Sequence, residues 1–316
     1  MTLFLLKRVA ILIATLLVTS LVVFLVLEIL PGDPAQVMLG IDAQPDTLAA
    51  LRQQLGLDRP PVERYVAWLA SLVTGDLGVS YTYAVPVADL VVERLAITLP
   101  LALIAMTLTT AIAITFGVYA AAQHNRLGDL AIMGATQLGI AIPNFWFAIL
   151  LILLFVVHLG WFSAGGFPGW SAGAWPALKS LLLPALALAL VQAAILARVT
   201  RSAVLEVLRE DFVRTARAKG LSRGQTLWRH VLRNALIPVV TLMGLQFATL
   251  LSGTIVVENV FFLPGIGRLI FQSINQRDLI VVKDVIVLLA AMVVAVNFLV
   301  DLLYAVIDPR LKESGT

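Results

Sequence analysis

Six stretches of this chain, residues 9–30, 95–122, 130–159, 178–197, 236–257 and 285–307, are apolar over about the 20 residues that a helix needs to cross a hydrocarbon layer about 30 Å thick. Inside hydrocarbon every backbone N–H and C=O must find its partner within the protein, so runs of this length fold as helices. A soluble alternative fails on surface. With 60% hydrophobic and 13% charged residues and a mean hydropathy of +0.97, the chain has too few polar groups to enclose such a core in water. The expected fold is all-α, an integral membrane protein with six transmembrane helices forming one domain over 1–316.

Lys7 and Arg8 precede the first run, as they would in a secretory signal. The run exceeds the roughly 7–15 apolar residues of a signal, and "PGDPAQ" offers no small-residue cleavage site, so it reads as an uncleaved first span. The third run is long enough to tilt or to carry an interfacial end. Pro143 and Pro184 interrupt the third and fourth runs, where kinks would widen a central cavity.

Charge gives the orientation, because Lys and Arg resist translocation. Lys7 and Arg8 place the N-terminus in the cytoplasm, and six spans then put residues 123–129, 198–233 and 308–316 on the same side. Arg126, nine Lys or Arg between Arg198 and Arg233, and Arg310 with Lys312 fall there. The topology is therefore N-in/C-in. Outside lie 31–94, with eight Asp or Glu against four Arg, 158–177, with no Asp, Glu, Lys or Arg, and 258–284, which is mixed.

The external segment 31–94 is too long for a turn and reads as helical. "PDTLAALRQQLG" has Asp46 as N-cap, Leu48, Leu51 and Leu55 on one face and Gly56 after its end. "PPVERYVAWLASLVTG" has Pro61 in a first turn and an apolar stripe before Gly75. Tyr65 and Trp68 would suit a membrane interface, in a helical cap contiguous with the second span.

Between the fourth and fifth runs, residues 198–235 form a basic cytoplasmic loop. Val204, Leu205, Leu208 and Phe212 share a helical face, and Gly220 stands where a C′ glycine ends a helix. Ser222 and Gln225 have capping-box spacing, so a second helix starts there and carries Leu227, Trp228, Val231 and Leu232. Helix, glycine turn and helix make a rigid elbow with a basic rim. Two roles fit such an elbow: lying on anionic lipid, or docking on a protein.

The segment "RTARAKGLSRGQTLWRHVLRN" resembles the EAA loop of ABC importer permeases, whose pattern runs Glu-Ala-Ala, three residues, Gly, and then a hydrophobic-x-Leu-Pro ending. Arg214, Thr215 and Ala216 stand at the Glu-Ala-Ala places, Gly220 at the glycine, and Leu232 with Arg233 at the Leu-Pro. Glu is thus Arg, one Ala is Thr and the Pro is Arg. These departures, with "LPGDPA" at 30–35, "LGLDRPPVERYVAWL" at 55–69, "GDLGVSY" at 75–81, "IPNFW" at 142–146, "ENVFFLPGIGRL" at 258–269 and "DPRL" at 308–311, are similar to the first permease subunit of the dipeptide/oligopeptide/nickel type.

The resemblance implies a bacterial inner-membrane permease that pairs with a second homologous permease, two cytoplasmic ABC ATPases and an external solute-binding protein. The elbow would be the coupling helix, with Arg214, Thr215, Ala216, Arg217, Lys219, Gly220, Leu221 and Arg223 at the ATPase contact. The chain itself would bind no cofactor, ATP and Mg being used by the partner ATPases; its other partner would be membrane lipid, with no nucleic acid. Di- or oligopeptides are the expected substrates, with nickel chelates, glutathione or another small solute left open.

Other motifs carry less. No Gly-x-x-x-x-Gly-Lys-Ser/Thr occurs, so the chain lacks a Walker A loop. "GWSAG" at 169–173 matches a nucleophile elbow in spelling only, because the one later histidine, His230, falls on the other side of the membrane. His124, His158 and His230 lack metal spacing, and the absence of Cys excludes disulfides, so no metal or catalytic set is expected. Gln137, Asn144, Gln192, Gln246 and Asn297 are polar within spans, where they either line a pathway or hydrogen-bond between helices. Glu28, Glu258 and Asp301 lie near span ends, where snorkelling to the interface suffices. Leu263 and Ile266, in a Pro/Gly turn, are candidates for an outer gate. A secondary transporter would show inverted repeats and mid-bilayer carboxylates, and neither is clear here.

Overall fold

The computed structural model describes residues 2–29, 34–40, 44–54 and 56–307, and among these it is helical, with one antiparallel bridge between Val79 and Pro86. In chain order the α-helices are α1 (Thr2–Ile29), α2 (Pro34–Leu39), α3 (Pro45–Gln54), α4 (Pro61–Thr74), α5 (Val87–Ala122), α6 (Leu127–Ala141), α7 (Asn144–Leu151), α8 (Ala174–Val207), α9 (Asp211–Ala218), α10 (Arg223–Thr226), α11 (Leu232–Val260), α12 (Ile266–Asn275) and α13 (Leu279–Ile307). Two π-helical stretches, Ile152–His158 and Leu227–Val231, extend α7 and join α10 to α11. Leu55, the "LPGD" of 30–33 and the tail 308–316, with its "DPRL", lie outside the described residues.

Among the described residues, five helical segments are long and apolar enough to cross a membrane, and a sixth is obtained when α6 and α7 with its π-helical extension count as one span. That pair replaces the expected continuous third helix. Its halves are bent by 105°, far more than a kink. The cause is local: Ile142, preceding Pro143, is forced into extended backbone (φ −96°, ψ 126°), which breaks the hydrogen-bond ladder. Pro184, by contrast, is carried inside α8 without a break.

Contacts within the chain gather into two compact units, Met1–Ile97 with Pro264–Ala295, and Thr98–Leu263 with Val296–Thr316. In the first, Val87, Leu90 and Val91 of α5 pack with Ile266, Leu269 and Ile270 of α12 and with Val281 and Val285 of α13. A second cluster joins Phe24, Trp68 and Val287. Trp68 is not an interfacial residue: it is 6% exposed, lies 6.1 Å from the Phe24 ring, and donates its indole N–H to Asp284 Oδ1 at 2.6 Å. The Lys283 ammonium sits 4.6 Å from its ring. Glu28, exposed near the end of α1, pairs with Arg64 of α4.

Local rules decide the helix ends of this unit unevenly. Gly56 (φ +67°) and Gly75 (φ +78°) follow α3 and α4 in left-handed conformations, and Pro61 opens α4. Asp46 falls inside the first turn of α3, two residues after the N-cap position at Gln44. The cap is also not contiguous with the second span. Residues 75–86 form a loop between α4 and α5, held where Asp278 Oδ2 accepts Ser80 Oγ–H at 2.5 Å and Thr82 N–H at 3.0 Å. Burial, with the Asp278 carboxylate adding to it, pushes the Tyr81 phenol in this loop up to about 12.

The second unit is built on α8, the most enclosed of the long apolar helices. Between helices in lipid, close backbone approach substitutes for hydrophobic burial, and small residues permit it. Glycines of three neighbouring helices lie against α8. A Cβ on Gly117 of α5 would fall 2.7 Å from the Ala197 carbonyl oxygen, one on Gly139 of α6 would be 3.1 Å from Ala194 Cβ, and one on Gly253 of α11 would be 3.2 Å from Leu188. Glu258 is also fully buried here, accepting the Thr98 hydroxyl at 2.6 Å, which displaces the expected snorkelling.

Candidate functional site

The elbow between α8 and α11 takes its shape from two local devices. Gly220 has φ +89°, a left-handed conformation that closes α9: its N–H reaches Arg217 O at 3.0 Å and that of Leu221 reaches Ala216 O at 3.3 Å. Two residues on, the Gln225 N–H donates to Ser222 Oγ at 3.2 Å, and the Ser222 N–H donates to Gln225 Oε1 at 3.1 Å, a complete capping box opening α10. α9 is therefore closed and α10 opened within four residues, each end fixed by its own hydrogen bonds.

Upstream, the expected uninterrupted helix from Arg201 to Gly220 is corrected. α8 ends at Val207, and Glu210 takes extended backbone (φ −66°, ψ 147°) before α9 starts. The break rotates the wheel. Val213 and Ala216 are now buried, Val213 packing with Val118, Ala121, Val204, Val231 and Leu232, whereas Phe212 is 42% exposed. Trp228, expected on the packed face of the second helix, is 61% exposed because the π-helical turn of Leu227–Val231 shifts the register.

Of the coupling candidates, Arg214, Thr215, Arg217, Lys219, Gly220 and Arg223 are exposed, Leu221 is half-buried, and Ala216 is buried in the chain's own core. The basic rim is smaller than the residue count. Arg201 is committed to Asp129 by bonds of 2.6 Å from Nε to Oδ1 and from Nη2 to Oδ2, with His124 Nδ1 3.1 Å from Nη2. Arg198 donates to Gln137 Oε1 at 3.2 Å. Arg209, Arg214, Arg217, Lys219, Arg223, Arg229 and Arg233 are exposed, Arg214 with its Nη1 3.3 Å from Asp211 Oδ1, and the same loop exposes Phe212 and Trp228. Such a surface suits a partner with acidic groups bordering an apolar recess. The two exposed aromatics were on the page of the sequence as members of the apolar stripes; only the breaks in helix register turn them outward.

The polar residues within spans divide. Gln192 and Gln246 are buried, and the Gln246 side-chain amide donates to the Gln192 backbone carbonyl at 3.0 Å, linking α8 to α11. Gln137 is exposed; Asn144, half-buried, starts α7 beside Gly253. Asn297 has its Oδ1 enclosed without a hydrogen-bond partner, as does Gln246 Oε1. Leu263 and Ile266 are both buried within the chain, at 0% and 2% exposure; Phe262, the residue before Leu263, is 61% exposed with φ +53°. Ser171 lies on an isolated 3-10 turn, Trp170–Ala172.

Residues 113–313 match the family described as "Binding-protein-dependent transport system inner membrane component", and residues 1–102 match its N-terminal companion. A putative peptide transport system permease protein of Brucella abortus (strain 2308) is 44% identical over 312 residues, 99% of each chain. A glutathione transport system permease protein of Escherichia coli (strain K12) is 41% identical over 309 residues, 98% of each chain. Among solved structures, a chain of the inward-facing MetNI methionine ABC transporter superposes with a TM-score of 0.58, covering 69% of this chain and 96% of that one at 19% identity, a likeness of fold.

Proposed function

The chain belongs to the family of binding-protein-dependent transport system inner membrane components, and from that premise we propose that it forms half of the translocation pathway of an ATP-driven importer of short peptides. The other half is a second, homologous permease. Two cytoplasmic ABC ATPases hydrolyse ATP with Mg, and an external solute-binding protein delivers the substrate. The chain is N-in/C-in, which puts the elbow in the cytoplasm and residues 31–94 outside. Peptides are chosen because one relative carries that description and glutathione, named for another, is itself a short peptide with free carboxylates.

The observation that carries the reading is the elbow. On its inner face Val213 belongs to the cluster containing Val118, Val204 and Val231, so a push on α9 moves α5, α8 and α11 as a body. Arg214, Arg217, Lys219 and Arg223 contact the ATPase around Phe212 and Trp228. Gln137 and Asn144 face the pathway, and Gln192 and Gln246 hold helices together.

Gly220→Pro is the test, since proline cannot adopt φ +89°. In vesicles containing the complete transporter, this variant inserts normally but loses peptide uptake and stimulation of ATP hydrolysis. Undiminished uptake by Gly220→Pro would refute the coupling role, and unchanged peptide uptake in cells lacking the permease would refute the substrate.

A further inference from the structure

A cavity of about 500 Å³ lies within the second unit, between residues 162–168, the start of α8 and Phe261 at the end of α11. Its size falls in the range of small-ligand sites, roughly 300–1,000 Å³. The walls are aromatic and preformed. Phe162 is braced edge-on by Phe155 at 6.2 Å, Phe167 by Trp170 at 5.4 Å, and the Gly166 N–H is tied to Phe261 O at 2.9 Å. Gly165 is there because a Cβ would come within 2.6 Å of the same oxygen.

The polar groups in this cavity are few, and most are already used. Ser163 donates its hydroxyl to Gly165 O at 3.2 Å and Ser180 to Ala177 O at 2.7 Å, so neither has a proton to offer a ligand. Lys179 is different. Its ammonium lies 5.4 Å from the Phe162 ring centre, pairs with no carboxylate among the described residues, and is the one charged side chain on the lining. A mostly apolar chamber whose one charged side chain is an exposed lysine, its ammonium over the Phe162 ring, suits a ligand with an apolar body and one anionic end.

We propose that this chamber is a subsite for the carboxylate end of a short apolar peptide, with Lys179 holding the carboxylate and Phe162, Phe167 and Phe261 enclosing the last side chain. The assignment rests on the import of peptides argued above. A carboxylate is preferred to a phosphate because the site offers one point charge and no guanidinium fork for a dianion.

The test is equilibrium dialysis of the full chain in lipid nanodiscs with radiolabelled N-acetyl-phenylalanine and its C-terminal amide. The acid binds saturably, and the amide at least about tenfold more weakly. Lys179→Gln brings the acid to the level of the amide and leaves the amide unchanged, while Lys179→Arg, which keeps the charge, stays within about threefold of the parent. Equal binding of acid and amide, an unchanged Lys179→Gln, or no saturable acid binding up to about 10 mM overturns the subsite. Uptake impaired in Lys179→Gln without any such binding would trace the carboxylate to a docked protein and would equally overturn it. Selective acid binding in a chain whose complete transporter imports no peptide leaves the subsite standing and removes the transport reading; normal import with unselective binding does the reverse.

Discussion

Arg201 of α8 grips Asp129 of α6 with two hydrogen bonds of 2.6 Å, the guanidinium Nε and Nη2 each meeting one carboxylate oxygen. The Asp129 side chain is only 2% exposed and that of Arg201 20%, so the pair is a partly buried clamp between two helices. Asp129→Asn removes the charge and leaves the guanidinium short of its partner. The expected loss is about 2 kcal/mol, below the 3–5 kcal/mol of a fully buried pair because Arg201 still reaches water. Thermal unfolding in detergent checks this: Asp129→Asn melts lower, and Asp129→Leu with Arg201→Met together recovers much of the difference. A single variant that melts with the parent would show the clamp to be inert.

Gly117 and Gly224 predict opposite outcomes for the same substitution. Gly117→Ala drives a methyl to 2.7 Å from both Ala197 O and Thr200 Cβ and should cost about 1–3 kcal/mol. Gly224, inside α10, has nothing within 4 Å of a Cβ, and Gly224→Ala should stabilise by about 0.5 kcal/mol through helix propensity. Unfolding midpoints that move in the same direction for both would contradict the packing on α8.

Gln246→Leu separates helix pairing from pathway lining. The residue spends one hydrogen bond on the Gln192 backbone and leaves Oε1 unpaired, so its replacement should change stability by no more than about 1 kcal/mol. Peptide uptake should be retained. A folded Gln246→Leu variant with uptake reduced about tenfold would place this side chain on the substrate's route.

The helices, the end of α9 at Gly220 and the capping box at Ser222 were legible because each depends on residues within a turn of one another. What was not legible depends on contacts far along the chain or on backbone choices that no residue type announces. Trp68 reads as an interfacial aromatic until Asp284, 216 residues away, appears beside its indole. Glu258 reads as a span-end carboxylate until Thr98 buries it. The 105° bend was half visible: Pro143 marks its place, but the angle depends on Ile142 taking extended backbone. Around the elbow, the extended Glu210 and the π-helical turn at Leu227–Val231 rotate Phe212 and Trp228 outward, and a strict 3.6-residue wheel hides both.

The chain contains no cysteine, so single-cysteine variants report one position each. Lys219→Cys lies at the tip of the elbow and Val73→Cys on the exposed side of α4. In native membrane vesicles carrying the whole transporter, a short thiol-to-amine cross-linker at residue 219 is predicted to capture the ATPase subunit, with a yield that changes on adding ATP, while residue 73 captures none. Capture of phospholipid alone at residue 219 would contradict the account.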